Sequence, residues 1–236
     1  MSVELDNAYQ AQRARLAASV QAGAAAVWAD SFRDRERTVD RVVPLVEAGL
    51  GMTVALVDAY MTAKATAAGE PAVVKGLDSS LYTIAALRGK DAREVYGRPF
   101  GALGGQLADG AEFGAALQSS QAALGRLVRT DLQLAQTRSA RDWMAGEERV
   151  VGYRRVLGPG KNCALCRSAS TRTYRREDLM PIHERCHCSV SPLFGSVAVA
   201  SVGTKVRVVD DPELGPRLVA DSWSESGPRL LEGALT

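Results

Sequence analysis

The stretch "AEFGAALQSSQAALGRLVRTDLQLAQTRSARDWM", residues 111–144, decides the fold class. Ala115, Ala116, Leu117, Leu124, Leu127, Val128, Leu132 and Leu134 recur along it, with Arg or Gln between them and no proline. That spacing puts the apolar side chains on one stripe of a helix and predicts a single long helix over 111–144.

Working upstream, residues 4–32 read as another long helix, with Leu5, Tyr9, Leu16, Val20 and Val27 at steps of four or seven. Residues 35–68 read as a second helical stretch, with Val39, Val42, Val43 and Val46 on one stripe, then Leu56, Val57, Tyr60 and Met61. Pro44 inside it marks a kink or a boundary, and "GLGM" at 49–52 is a further weak point. "GEPAVVKGLDSS", 69–80, has the composition of a connection. Helical segments are expected at 79–88 and 91–97. Pro99 allows a fresh start, and "FGALGGQLADG" reads as a short helix closed by Gly110.

Composition agrees with this reading. Apolar residues make up 46% and charged residues 24%, as in ordinary globular chains, while only 6% is aromatic. Abundant Ala, Leu and Arg favour helices packed through small residues. The N-terminus carries acids and no uninterrupted apolar region, so no signal peptide is expected. No apolar run approaches the roughly 20 residues of a membrane span, so no membrane partner is expected either. In the cytosol thiols stay reduced, and clustered cysteines bind metal or remain thiols rather than pairing.

Downstream of residue 145 the character changes. "VVGYRRVLGPG", 150–160, is a strand followed by a turn. All four cysteines and both histidines then fall within "CALCRSASTRTYRREDLMPIHERCHC", Cys163 to Cys188, and "SVSPLFG" closes the segment. Beyond Gly195, "VAVASV" and "KVRVV" each suggest a strand, and the last ~25 residues read as a loosely held tail. The expected architecture is mainly α: a long-helix body over 1–145, a small α+β Cys/His module over 146–195, and an extension over 196–236, partly strand and partly loose.

Charge follows the same division. Residues 1–137 hold 14 basic and 15 acidic side chains, 138–188 hold 11 and 6, and 189–236 hold 4 and 6. The positive charge sits around the cysteines, where it suits phosphate or an acidic surface, or is simply a solvated face.

Three readings of the cysteine segment compete. The first is a structural metal site. Cys163-x2-Cys166 and His183-x2-Cys186, sixteen residues apart, are two ligand pairs of the kind a tetrahedral zinc takes, with Cys188 or His187 as alternates. Buried thiols with a hydrogen-bonded histidine, and no metal, would also hold such a segment. The second is a zinc hydrolase, since His183-Glu184-Arg185-Cys186-His187 matches H-E-x-x-H. Pro181 stands two residues before His183, and the flanking thiolates would crowd an open catalytic position. The third is a nucleic-acid finger. Arg172, Arg175, Arg176 and Arg185 suit phosphate, yet no aromatic platform for bases is visible. No phosphate-cradling glycine loop follows a strand and no G-x-S-x-G occurs, so the chain is expected not to be an enzyme.

"GYRRVLGPGKNCALCRSASTRTYRREDLMPIHERCHCSVSP" resembles the C-terminal signature of the Mu F-like minor head proteins of tailed bacteriophages, the head morphogenesis family. Cys163 and Cys166 match the family's first pair. Pro181, His183, Cys186 and Cys188 match its second element, and Pro192 its closing proline. Glu184 and His187 stand where the family often has Pro and Arg, and those two differences create the H-E-x-x-H string. Upstream, "YGRPFGALGGQLADG" and "TDLQLAQTRSAR" look like versions from phages of actinobacteria. The resemblance implies a low-copy protein of the virion interior, assembled in the host cytoplasm near the portal vertex and linked to head assembly and to genome packaging or ejection. Its implied partners are portal protein, major capsid or scaffold protein, and packaged DNA, held weakly and without sequence preference. Arg154, Arg155, Arg172, Arg175 and Arg176 are the expected phosphate contacts. On this reading the helical half docks portal protein, and residues 1–68 are expected to be dispensable for folding of the module. A zinc-binding, DNA-associated protein is the alternative, and a zinc metallohydrolase a more distant one.

Overall fold

Helix-forming sequence fills most of the chain. The computed structural model describes residues 2–70, 76–158, 162, 164–176, 188–195, 205–211 and 215–221. In order these form α1 (Ser2–Ser31), α2 (Arg35–Ala67), a 3₁₀ turn (Ser79–Leu81), α3 (Ile84–Arg88), α4 (Ala92–Ala108) and α5 (Phe113–Gly146). There follow β1 (Val150–Val156), α6 (Ala164–Ser170), β2 (Thr173–Tyr174), β3 (Ser189–Phe194), β4 (Lys205–Asp211) and β5 (Gly215–Asp221). The fold is mainly helical, as the periodicities predict, and carries a small three-stranded antiparallel sheet.

Polar side chains set the helix starts. Asp34 accepts from the Arg37 amide, Thr83 from Ala86, Asp91 from Arg93 and Glu94, and Glu112 from Ala115, each satisfying an amide that the first turn leaves unpaired. Between α4 and α5 the chain turns at Gly110, whose φ of 84° is the left-handed conformation that glycine adopts most cheaply.

Neither proline breaks its helix. Pro44 lies on the exposed side of α2, and Asp40, whose carbonyl it leaves unpaired, is exposed too. Pro99 is buried in α4, so 92–108 is one helix and not the two that the sequence suggests. An interior proline costs about 3 kcal/mol. Burial of Val95, Tyr96 and Leu103 around Pro99, at about 1.5–3 kcal/mol for each such side chain, outweighs it.

The main core lies among α1, α2, α4 and α5. Trp28 is its largest member, packed with Val42, Val46, Leu50, Tyr96, Leu124 and Val128, and its ring lies 4.8 Å from that of Phe100. The "GLGM" weak point is a crossing point. Gly49 is buried, and a Cβ there would come within 2.7 Å of Val20 Cγ2, so glycine sets how closely α1 approaches α2. By length and composition α2 is apolar enough to cross a membrane, a stretch that counting apolar runs passes over. Val39, Val42, Val46 and Leu50 belong to one core and Val57, Tyr60 and Met61 to the other, while Met52 is exposed.

In the sheet the strand order is β2-β1-β3. Val156 pairs with Ser189 and Tyr153 with Pro192, and the register shifts between Val150 and Gly152. Pro192 is tolerated because β3 is an edge strand. The inner side of this sheet has no separate core among the described residues. Val150, Tyr153 and Val190 pack instead with Tyr9 of α1, Val57, Tyr60, Met61 and Ala65 of α2, and Ala140, Trp143 and Met144 of α5. Strands β4 and β5 pair antiparallel from Lys205↔Asp221 to Asp211↔Gly215, so the strand expected at "KVRVV" has a partner in sequence that reads as tail. The strand expected at "VAVASV" lies outside the described residues.

Candidate metal centre and the docking of the sheet

Because Val156 stands opposite Ser189, the register brings Leu157, just beyond β1, to the level of Cys188, just before β3. Helix α6, the next element in the chain after β1, carries Cys166. Cys166 and Cys188 are both buried, 2% and 6% exposed, and share one small apolar cluster with Leu157. One cysteine from each half of the motif therefore reaches the same place. The Asn162 side chain donates to Gly158 O (2.9 Å), Arg167 Nη1 to Asn162 O (3.3 Å) and Tyr174 Oη to Ala169 O (3.0 Å), which fix the approach to α6 and its exit.

Cys163, His183, Cys186 and His187, with Glu184 of the H-E-x-x-H string, lie outside the described residues. Among the described residues no group of three or more His, Cys, Asp or Glu gathers to hold an ion. The donor chemistry still fits zinc: soft sulfur ligands on two separate segments, in a buried setting. Cys188, an alternate on spacing, stands with Cys166 and is the one member of the second element among the described residues.

The cysteine end of the sheet is tied to α1. Gln10 Nε2 donates to Ser189 Oγ at 2.7 Å and to Val156 O at 3.2 Å, bridging β1 and β3. Arg13 Nη1 donates to Cys188 O at 3.1 Å and to Gln136 Oε1 of α5 at 2.5 Å. A second group of polar contacts centres on Asp6, which is 3% exposed. It accepts from Tyr60 Oη (2.6 Å), Lys64 Nζ (2.8 Å) and Arg154 Nη2 (3.1 Å). Tyr9 stacks on Tyr60 with ring centroids 4.1 Å apart. Burial pushes both phenols up from their ordinary range, and the Asp6 hydrogen bond adds to the rise at Tyr60. These groups join α1, α2 and β1, and apart from Arg154 none of them stands out as functional in the sequence.

The five arginines expected on phosphate separate into two sets. Arg154 reaches Asp6, and Arg155 is only 8% exposed, because β1 is the central strand. Arg172 and Arg175 are exposed, and half-buried Arg176 donates to Glu147 O at 3.5 Å. Of the five, Arg155 is the one that is buried, and the Arg154 side chain is 43% exposed beside its contact with Asp6.

A further buried carboxylate lies in the bundle. Asp131, fully buried on α5, accepts from Tyr96 Oη at 2.7 Å and pairs with Arg88 Nε. Burial pushes its carboxyl up from the ordinary range, against the pull of the Tyr96 hydrogen bond and the Arg88 charge. Its role is to hold α3, α4 and α5 together.

Comparison with family models, with curated proteins and with solved structures finds no match to this chain.

Proposed function

We propose that the chain is a minor capsid, head morphogenesis protein of a tailed bacteriophage, without enzymatic activity, acting inside the head near the portal. The observation that carries the reading is the motif itself: Cys163-x2-Cys166, then Pro181-x-His183-x2-Cys186-x-Cys188, then a strand holding Pro192. The burial of Cys166 and Cys188 in one cluster supports a single small Cys/His module, in which one structural zinc ion would bridge two segments. Long helices leave surface for portal, capsid or scaffold protein, and Arg172, Arg175 and Arg176 suit weak, salt-dependent contact with packaged DNA.

Quantitative mass spectrometry of purified heads tests the reading. The expected result is this chain at a few per cent or less of the major capsid protein, lost when the portal is lost. Absence from heads, with recovery on host DNA, would establish instead the zinc-binding, DNA-associated alternative. Elemental analysis of protein purified without chelator should give about one zinc per chain, as a closed tetrahedral site requires. Metal-free protein whose melting is indifferent to chelator would remove the ion from the proposal. Peptide cleavage lost specifically in Glu184→Ala would favour the hydrolase reading.

A further inference from the structure

Helices α4 and α5 leave an open trough of about 300 Å³ between them, lined by Pro99 and Ala102 on one side and Ala123, Leu127 and Thr130 on the other. Arg88, Arg98 and Arg126 edge it. Each arginine has a different status. Arg88 is held in place by Asp131, and its Nη2 donates to Leu127 O at 3.5 Å. Arg98 pairs with Glu94 at 3.3 Å, but both are more than half exposed, so water or a better acceptor replaces that partner cheaply. Arg126 is exposed and makes no ion pair among the described residues. Planar guanidinium groups at the edge of an apolar floor match carboxylates carried on an apolar body.

The shape narrows the class of partner. The trough is open to solvent along the seam of two helices. Its lining on α5 runs from Ala123 to Thr130, about 10 Å at 1.5 Å per residue or two helical turns, which the apolar face of a helix can follow. Its floor is apolar, built from Pro99, Ala102, Ala123 and Leu127, with Thr130 at its edge. No aromatic ring lines the trough, so a nucleobase would find nothing to stack on.

We infer that the α4/α5 trough is a docking site for an acidic amphipathic helix of a protein partner, with the partner's apolar side chains on Pro99, Ala102, Ala123 and Leu127 and its carboxylates on Arg98 and Arg126. This deepens the reading of the helical body as a partner-binding surface. It does not depend on that partner belonging to a phage head.

The test is a selection from a library of helical peptides, with random residues on one face, against the full-length protein. Recovered peptides are re-measured on Arg126→Ala, Arg98→Ala and Ala123→Glu. The expected pool is enriched in Asp and Glu over Lys and Arg. Binding should weaken about tenfold in Arg126→Ala, the loss of one charge-assisted contact. Ala123→Glu should abolish it by putting a carboxylate in the floor. Unchanged thermal melting of these surface variants shows that the fold is intact. A pool without acidic enrichment, or one indifferent to all three substitutions, overturns the inference. So does a 20-base-pair DNA duplex that binds the protein and loses binding through the same two arginines, since the trough would then be a phosphate site. Because the assay uses purified protein and peptides, its failure is distinct from absence of the chain from heads.

Discussion

The two ends of the helical body are held together by different physics. Around Trp28 the contacts are apolar and Asp131 is the buried carboxylate among them. Where the helices meet the sheet, an apolar patch around Trp143 and Tyr153 is bordered by Asp6, Gln10, Arg13, Lys64 and Arg154, which reach across 54 to 179 residues of sequence. Apolar packing is permissive, since many arrangements bury the same area, whereas charged and hydrogen-bonded groups in a buried setting accept few partners. The bundle is thus specified by pattern. The position of the sheet, and with it the cysteine cluster, is specified by particular pairs.

The sharpest way to break this contrast is to remove residues 2–13. That deletes Asp6, Tyr9, Gln10 and Arg13 and leaves Leu16 to Trp28 in the bundle core. Hydrogen exchange should show β1 and β3 losing their protection while α5 from 118 to 135 keeps most of its own. Equal loss in both places would mean that the two ends form one cooperative unit. This expectation replaces the idea that residues 1–68 can be removed with the sheet left folded, because the sheet shares its core with α1 and α2.

Next in size is Asp6→Ala. It leaves Lys64, which is 6% exposed, without its carboxylate, and frees Tyr60 and Arg154 as well. Breaking such a buried pair costs about 3–5 kcal/mol. Urea unfolding should show a loss in that range, and a value below about 1 kcal/mol, as for exposed pairs, would mean that the group is effectively solvated.

Gly49→Ala probes the bundle in the same terms. The added methyl would press on Val20 and push α1 from α2, an overpacking expected to cost about 1–3 kcal/mol. Protection in α1 and α2 should fall together. Stabilisation by the substitution, as alanine brings to an open helical site, would show that the crossing has slack.

The smallest effect is expected from Gln10→Ala. Its side-chain nitrogen bridges Ser189 and Val156, but its buried Oε1 has no hydrogen-bond partner among the described residues. The net loss should be about 1 kcal/mol, the usual worth of a hydrogen bond in a folded chain. Exchange should speed up at Ser189 and Val156 first. A loss as large as that of Asp6→Ala would make Gln10 and Asp6 equal partners in holding the sheet.

Much of this was legible beforehand. The extents of α1, α2 and α5 agree with the apolar periodicity to within two residues, and β1 with its β-branched run. The signals that misled were local ones. Pro99 predicts a break, yet the buried side chains on either side of it carry α4 through. Arg155 reads as a surface arginine, but on the central strand it is buried. That Cys188 shares a cluster with Cys166 and Leu157 could not be read from spacing, because the register that brings it there is set by strand pairing.

By itself the sequence determined the helix class, the extents of the long helices and the grouping of every cysteine and histidine in one segment. These depend on repeats of three or four residues and on composition, which a chain carries locally. Only the tertiary structure decided that Gly49 is a crossing point, that Asp6 gathers three donors, and that Arg13 holds the carbonyl of Cys188. It also decided that three arginines border one trough. Each of these joins residues from separate elements, and a buried charge or a missing Cβ acquires its partner only when those elements pack.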